Sequence, residues 1–461
     1  MPARRRRPSK ATPRAPDRLP RNSAPVPLTI EHVGGRGDGV ATAKVQLADQ
    51  WAPRDELFFV PFTLAGEQVL ARPRQRRGGG VATDLLELSA PTIGRQTPPC
   101  AHFMACGGCQ TQHMAPALYR AWKSAQLAQH LARADLAAAP LRPLVTVAPG
   151  GRRRLVMHAR RLAAGLVLGF HEHGAARIVD VTACPVATDR LQATLVPLRR
   201  FLFDILPSGT SARLWLTDCD NGVDLLIECA QTLDRAGREA AAELATGGTL
   251  LRLSWRHPED GPNLAAETVI ETRAPVVTFA GIPQTPPPGG FLQATQEGQA
   301  AIIAAVVEAL AGRTNTLDLF AGCGTLTLPL AAEGPVHAVD GDGPALAALR
   351  RTARLRAPGA AALTTACRDL QTDPLTASEL AAYDSVVVDP PRAGARAQTA
   401  EIAAAGPPRV ALVSCNPATF ARDARLLLAA GYRCAWVQPI DQFLWSPHLE
   451  LVAAFHLGAP R

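Results

Sequence analysis

Three polar residues stand where apolar runs stop, and each brings side-chain chemistry. Cys415 sits between "RVALVS" and Asn416-Pro417 in "LVSCNPATFARD", Asp389 precedes Pro390-Pro391 in "VVVDPPRAGA", and Glu450 interrupts the apolar "HLELVAAF". A cysteine at a strand end can act as a nucleophile. A free thiol with a pKa of ~8.5 is only a few per cent thiolate near neutrality, and lowering that value by one unit takes about 1.4 kcal/mol. The backbone N–H groups of a strand-to-helix turn are expected to supply part of it. An isolated cysteine more often serves as a small buried apolar residue. Beside Asn416-Pro417 and opposite Asp389, the chemical reading takes precedence.

A second group of residues has the pattern of a nucleotide site. "LDLFAGCGTLTLP" puts Gly322 and Gly324 directly after an apolar strand, where glycine lets a ligand approach the backbone. Asp340 ends the next strand, 22 residues beyond Asp318, a spacing suited to holding ribose hydroxyls. Thr327 occupies the third position of a G-x-G-x-x-G pattern, which weakens a nicotinamide-dinucleotide reading. A third group is sulfur: Cys100, Cys106 and Cys109 lie within ten residues in "PPCAHFMACGGCQTQH", with Cys184 of "VTACPV" as a fourth candidate. Four thiolates suit an iron–sulfur cubane or structural zinc, and His102 and His113 keep a mixed Cys/His zinc site open. Cys219, Cys229, Cys323, Cys367 and Cys434 are assigned to packing.

The elements that must position these groups follow from the pattern. From 25 to 90, short β-prone segments separated by turns ("PLTIEHV", "GVATAKV", "ELFFVPF", "EQVLARP", "VATDLLEL") predict a small β-barrel. "APALYRAWKSAQLAQHLARADL" predicts a helix whose packing face is Leu118, Trp122, Ala125, Ala128 and Leu131. Residues 190–275 mix strand and helix signals, and the Pro/Gly-rich "GIPQTPPPGG" marks a boundary. Beyond it, "TNTLDLF", "PVHAVDGD", "DSVVVDPP" and "RVALVSCNP" alternate with helical segments, which predicts a doubly wound sheet with its ligands at the C-terminal strand ends. The expected domains are therefore a disordered basic tail (1–24), a barrel (25–90), a central α+β domain (91–288) and a C-terminal α/β domain (289–461).

The totals are compatible with this division. The chain has 461 residues, 47% of them hydrophobic, enough for several cores. No apolar run approaches the ~20 residues that span a membrane, and the basic start carries no apolar stretch of the secretory kind, so a cytoplasmic protein with reduced thiols is expected. The net charge is +8, of which +7 falls in residues 1–21, so the body is nearly neutral. The tail would attract polyanions without specificity. Local basic patches in the body are "ARPRQRR" (71–77) and "GRRRLVMHARR" (151–161).

With "DLFAGCGTLTLPLA", "DPPRAG", "SCNPATFARD" and "HLE", the chain resembles the S-adenosylmethionine-dependent RNA uracil-C5 methyltransferases, and most of all the iron–sulfur 23S ribosomal RNA enzymes. The resemblance covers everything after the basic tail. It implies an N-terminal OB-like barrel of the TRAM type, a central iron–sulfur and RNA-binding domain, and a Rossmann-like methyltransferase domain. It makes Cys415 the nucleophile and Glu450 the general base. It places cofactor contacts on Gln293, Phe320, Thr325, Asp340, Asp369 and Asp389. It implies a [4Fe-4S] cluster on Cys100, Cys106, Cys109 and Cys184. Threonine stands at 325 and 295 where the family commonly has asparagine, and Asp340 where it often has glutamate. The implied partner is RNA, foremost 23S ribosomal RNA, with transfer RNA as the alternative; no membrane and no obligate protein partner are implied. Three rivals are a non-catalytic iron–sulfur RNA-binding protein, a dinucleotide-dependent iron–sulfur oxidoreductase, and an adenine amino-group methyltransferase suggested by "DPP". The last needs no cysteine nucleophile.

Overall fold

The computed structural model describes residues 18–47, 49–260, 266–355 and 360–458. The chain divides into two compact units: residues 1–98 with 110–119, and residues 99–109 with 120–461.

The first unit is built on a six-stranded sheet in the order Val26–Thr29, Gln68–Arg77, Gly80–Ala90, Arg54–Val60, Gly39–Val45, His32–Val33. Alternation along the strands turns Leu28, Ala41, Phe58, Val60, Val69, Ala71 and Val81 into one core. The tail expected to be disordered through residue 24 lies outside the described residues up to position 17. From Arg18 the chain is placed: Arg18 bridges Gln75, and Leu19 is buried with its N–H on the Arg74 carbonyl at 2.8 Å. The basic stretch 71–77 is partly neutralised within this sheet. Arg74 pairs with Asp84, Arg76 with Asp49 and Glu56, and Arg77 with Asp38.

The second unit holds two large sheets. One has seven strands in the order Ile178–Asp180, Gly165–His171, Arg154–Leu162, Ser211–Cys219, Gly222–Cys229, Leu250–Arg256, Glu267–Glu271. Its parallel pair, Gly222–Cys229 with Leu250–Arg256, is joined through the helix Arg235–Thr246. That helix and Asp189–Ile205 cover one face, packing Leu191, Leu195, Leu198 and Ala241 on Leu155, Met157, Leu214 and Leu225. The mixed signals of 190–275 thus resolve into strands alternating with covering helices.

The other sheet has eight strands: Leu363–Cys367, Val336–Asp340, Thr316–Leu319, Ser385–Val388, Arg409–Ser414, Glu450–Leu457, Tyr432–Asp441 and Val145–Thr146. The first five are parallel neighbours, and Glu450–Leu457 runs antiparallel to both strands beside it. The order reverses between Thr316–Leu319 and Ser385–Val388, which opens a crevice at the C-terminal ends of those strands. Both faces are covered. Leu317, Leu319, Val386, Val388 and Leu412 pack with Leu127, Leu131 and Phe420, while Val387, Ala411 and Val413 pack with Ile302, Val306 and Ile440.

Two details depart from expectation. Val145–Thr146, in the stretch read as central, pairs in parallel with Ile440–Asp441 at the edge of this C-terminal sheet. The helix Pro116–Ala132 forms, but Ala125 and Ala128 are exposed; its buried stripe in this unit is Trp122, Lys123, Leu127 and Leu131. The reason is Lys123, which turns inward to an ion pair with Asp441 at 2.9 Å, both side chains almost fully buried. A buried charge is tolerable only when paired, so this contact fixes which helix face packs.

Candidate active site

Sheet register brings the candidate chemistry to one edge. In the antiparallel pair of Arg409–Ser414 and Glu450–Leu457, Ser414 lies opposite Leu451, so the next position sets Cys415 across from Glu450. Asp389 follows Val388 on the adjacent parallel strand and donates its N–H to the Leu319 carbonyl at 3.2 Å. The turn after Cys415 is tied down locally. Asn416 caps the helix Pro417–Ala429 by accepting the Ala418 N–H, and its side-chain amide donates to the Arg392 carbonyl at 3.2 Å. The Cys415 turn and the Asp-Pro-Pro-Arg loop are thereby held together.

A chain of amides joins the two carboxyl groups. Gln442 Nε2 donates to Glu450 Oε2 at 2.9 Å and to Gln293 Oε1 at 2.7 Å; Gln293 Nε2 donates to Asp389 Oδ2 at 3.2 Å. Gln442 Oε1 accepts the Ala294 N–H at 2.9 Å, which fixes which way the amide points. Behind this, buried Arg153 donates from Nε to the Gln293 carbonyl at 3.1 Å and from Nη2 to Gln299 Oε1 at 2.5 Å. Burial pushes the Asp389 carboxyl well above the usual carboxylate range, with Asp340 adding to it. Burial likewise pushes Glu450 up, Asp389 adds to it, and the Gln442 amide pulls the other way.

The thiol differs from expectation. Cys415 is pushed up to about 11, by burial first and then by Glu450 and Asp389, while Arg392 pulls it down. The turn's N–H groups do not outweigh two acidic neighbours in a half-buried site. Arg392 and the backbone do not offset burial and the two acids, and the sulfur holds its proton.

On the cofactor side, the chain turns sharply after Thr316–Leu319. Phe320 has φ of +64° and Gly324 of +97°, both in the left-handed region, and a Cβ at Gly324 would come within 2.6 Å of Leu349. Gly322 and Asp342 donate their N–H groups to the two Asp340 oxygens at 2.8 and 2.6 Å. Burial raises the Asp340 pKa. Asp369 is exposed just beyond Gly341, its carboxylate oriented by the Gln371 N–H and the Thr372 hydroxyl. Thr325 is half-buried in the glycine turn, and Thr295 caps the helix Gln296–Ala309 by accepting the Gly298 N–H. A threonine performs that capping as asparagine would. The cradle of bare glycine, oriented Asp340 and two acids of raised pKa fits a cationic nucleoside cofactor. Asp318, beneath it, is fully buried and pushed up to about 7, chiefly by burial; its Oδ2 accepts the Thr327 hydroxyl at 2.5 Å.

The cysteines come together from two segments. The 100–109 loop pairs with the turn after Gly165–His171: Cys106 bridges Glu172, and the Gly107 N–H donates to the His171 carbonyl at 2.9 Å. His102 Nε2 accepts the Thr182 N–H at 3.2 Å, tying the loop to the stretch that carries Cys184. Burial raises the Cys106 thiol, as does Cys100 nearby; burial raises Cys184, with Cys100 and Cys106 adding to it. Arg152 faces Cys184 and Cys109. Cys100, Cys106 and Cys184 lie close enough to influence one another, and thiolates are the donors an iron–sulfur cluster takes. Among the described residues no group of three or more His, Cys, Asp or Glu side chains is arranged to hold a metal ion. His102 serves the loop instead, and His113 lies buried in the first unit near Arg95 and Glu67, pushed down to about 4 by burial.

Gln442 and the Lys123–Asp441 pair carry no readable motif; in the sequence Arg153 is only part of a basic patch, and Arg392 and His448 are only members of "DPPRAG" and "HLE". All converge on this edge. Lys123 donates to the His448 carbonyl as well as to Asp441, and His448, beside Arg392 and Arg152, is pushed down to about 4 by burial. The one signal was polarity inside apolar runs: Gln442 in "PIDQFLW" and Lys123 in the helix face. Among the described residues no helix is long and apolar enough to cross a membrane.

The chain is similar to known RNA methyltransferases. A family model for tRNA (uracil-5-)-methyltransferase matches residues 360–455. An RNA methyltransferase of Mesorhizobium japonicum is 40% identical over 94% of this chain and 98% of its own length. The 23S rRNA (uracil(1939)-C(5))-methyltransferase RlmD of Pectobacterium atrosepticum is 32% identical over 86% of this chain and 88% of its own. In fold, the chain is similar to the tRNA (uracil-54, C5)-methyltransferase of Pyrococcus abyssi, solved with S-adenosyl-L-homocysteine: TM-score 0.72, 20% identity, 93% of this chain and 99% of that one.

Proposed function

Because the chain belongs to the family of RNA uracil-C5 methyltransferases, we propose that it methylates carbon 5 of one uridine in 23S ribosomal RNA through a covalent adduct on Cys415. The observation that carries this reading is the register that sets Cys415 opposite Glu450, with Gln442 and Gln293 linking Glu450 to Asp389. S-adenosylmethionine supplies the activated methyl group and a positive charge. Gln293, Phe320, Thr325, Asp340, Asp369 and Asp389 would hold it. Its positive charge would offset the acidic surroundings of Cys415, coupling cofactor binding to thiol activation.

Cys415 gives its proton to solvent, its sulfur bonds to carbon 6 of the uracil, and electron density moves to carbon 5. Carbon 5 would take the methyl group as the donor's methyl–sulfur bond breaks, leaving S-adenosylhomocysteine. Glu450, as carboxylate, takes the carbon-5 proton, and the sulfur–carbon 6 bond breaks to return the thiolate. Gln442 favours the carboxylate form of Glu450 at the moment it is needed. The target base must leave its stack to reach this edge, at a cost of about a few kcal/mol.

The six-stranded sheet of the first unit is the TRAM-like RNA-binding element, the eight-stranded sheet the Rossmann-like catalytic one, and Cys100, Cys106, Cys109 and Cys184 bind a [4Fe-4S] cluster that braces the RNA-binding surface. The compartment is the cytoplasm, where such thiols stay reduced. Transfer RNA is the second reading, favoured by the family description that matches residues 360–455. Mapping 5-methyluridine in ribosomal and transfer RNA from cells with the wild-type gene, with Cys415→Ala and without the gene tests it. A 23S position lost in the latter two is expected; a lost transfer RNA position selects the second reading, and no change in either RNA rejects both.

A further inference from the structure

A recess lined by none of the candidate site residues lies beside the cysteine loop. It is an open cavity of ≈ 280 Å³ lined by Gly107, Gly108, Val156, His158, Phe170 and His171, among others. The strand Arg154–Leu162 alternates here. Leu155, Met157 and Ala159 enter the core, so Val156, His158 and Arg160 take the opposite face. The His158 and His171 rings stand 4.2 Å apart between centroids at 43°. His171 Nδ1 donates to the Ala176 carbonyl at 2.9 Å, which fixes the ring beside the recess. Exposed Arg160 lies two residues along the same face, and exposed Arg213 sits directly opposite His158. Glu172, the acid in the lining, is paired with Arg177. A Cβ on Gly108 would meet only the Cys106 sulfur, at 3.5 Å, so bare backbone forms part of the wall.

We infer that this recess receives an unpaired nucleobase of the substrate RNA other than the target uridine, stacked on His158. The inference extends the RNA methylation proposed above. The size is at the small end for ligand pockets, which run ~300–1,000 Å³, so it suits one flat ring and not a dinucleotide. Imidazole and aromatic faces flanked by arginines are what unpaired bases stack on, with the cations meeting the phosphates on either side. The basic stretch 151–161 then acts through two residues, Arg160 on backbone phosphate and His158 on the base. A base gripped here keeps the strand extended beside the cysteine loop, which gives that loop a part in RNA positioning.

The test uses the full-length protein, with its cysteines kept reduced, and a fluorescent unpaired RNA of about ten nucleotides. His158→Ala is expected to weaken binding about tenfold, or about 1.4 kcal/mol, and His158→Phe to restore it, because stacking survives. Toward an abasic oligoribonucleotide of the same length, the three proteins are expected to bind alike. S-Adenosylmethionine affinity and melting temperature control for folding, and His158→Phe carries the test where His158→Ala is unstable. Unchanged RNA affinity in His158→Ala overturns the inference, and so does an equal loss on the abasic oligomer. Methyl transfer by the wild type to ribosomal and transfer RNA transcripts is read separately. Its absence with His158-dependent binding intact rejects the proposed function alone, and its presence with His158-independent binding rejects this inference alone.

Discussion

Gln442→Leu removes the hub of the site while nearly keeping its volume. Glu450 loses the amide N–H that reaches it at 2.9 Å, and Gln293 loses the one that reaches it at 2.7 Å. Gln442 pulls the Glu450 pKa down by favouring the carboxylate, so its loss moves that pKa further up. A hydrogen bond to a charged group contributes about 1.5–3 kcal/mol, which corresponds to about one to two pH units. If Glu450 takes the carbon-5 proton as a carboxylate, the acid limb of that step moves to higher pH by this amount. Near pH 7 the step slows about 10- to 100-fold, and the loss is recovered as pH rises. The assay is single-turnover release of tritium from carbon 5 of uridine-labelled RNA across a pH series, wild type against Gln442→Leu. Because Gln293 loosens as well, the cofactor dissociation constant is expected to rise about tenfold by calorimetry. An acid limb at the same midpoint in both proteins would refute the assignment of Glu450 as a base tuned by Gln442.

Other consequences follow from the same geometry. Burial raises the Glu450 pKa in the folded state above its ordinary value, so its contribution to stability is complete at low pH and is lost as pH rises through the raised value. Glu450→Gln is therefore expected to melt like wild type near about pH 4 and a few degrees higher at about pH 9; a gain at the acidic end instead would reverse the sign. Lys123→Met strands Asp441 without its buried partner and is expected to lose about 3–5 kcal/mol in denaturant unfolding. Adding Asp441→Leu should return most of it, and an additive second loss would mean the pair is not coupled. Cys184→Ser is expected to lower iron content from about four per chain and bleach the cluster absorbance, and full iron loading in that variant would remove Cys184 from the ligand set.

The strands that carry the site were legible because each is a short apolar run ended by a polar residue or a sharp turn: Leu319 before Phe320, Val388 before Asp389, Ser414 before Cys415. Alternating strand and helix then forced a parallel sheet, and the parallel sheet forced these ends to one edge. The pairing of Cys415 with Glu450 was beyond reach of pattern alone, because it depends on the register of an antiparallel strand inserted between two others. Gln442 could not be weighed for a related reason. Its polarity inside "PIDQFLW" marks it, but its importance lies in two amide contacts across 149 and 8 residues of chain. The helix face at Trp122 departs from the periodic reading because periodicity counts apolar residues, whereas here a lysine is drawn inward by an aspartate 318 residues away. The thiol's raised pKa could not be foreseen from the turn, since it comes from burial and from acids on neighbouring strands.

RNA carrying 5-fluorouridine at the target provides the most direct test, because fluorine at carbon 5 cannot be removed as a proton and the adduct persists. The wild-type protein, this RNA and S-adenosylmethionine are expected to give a denaturation-resistant complex in which the peptide bearing Cys415 carries the nucleotide by mass spectrometry. Absence of the complex, or attachment at another residue, would contradict nucleophilic catalysis by Cys415.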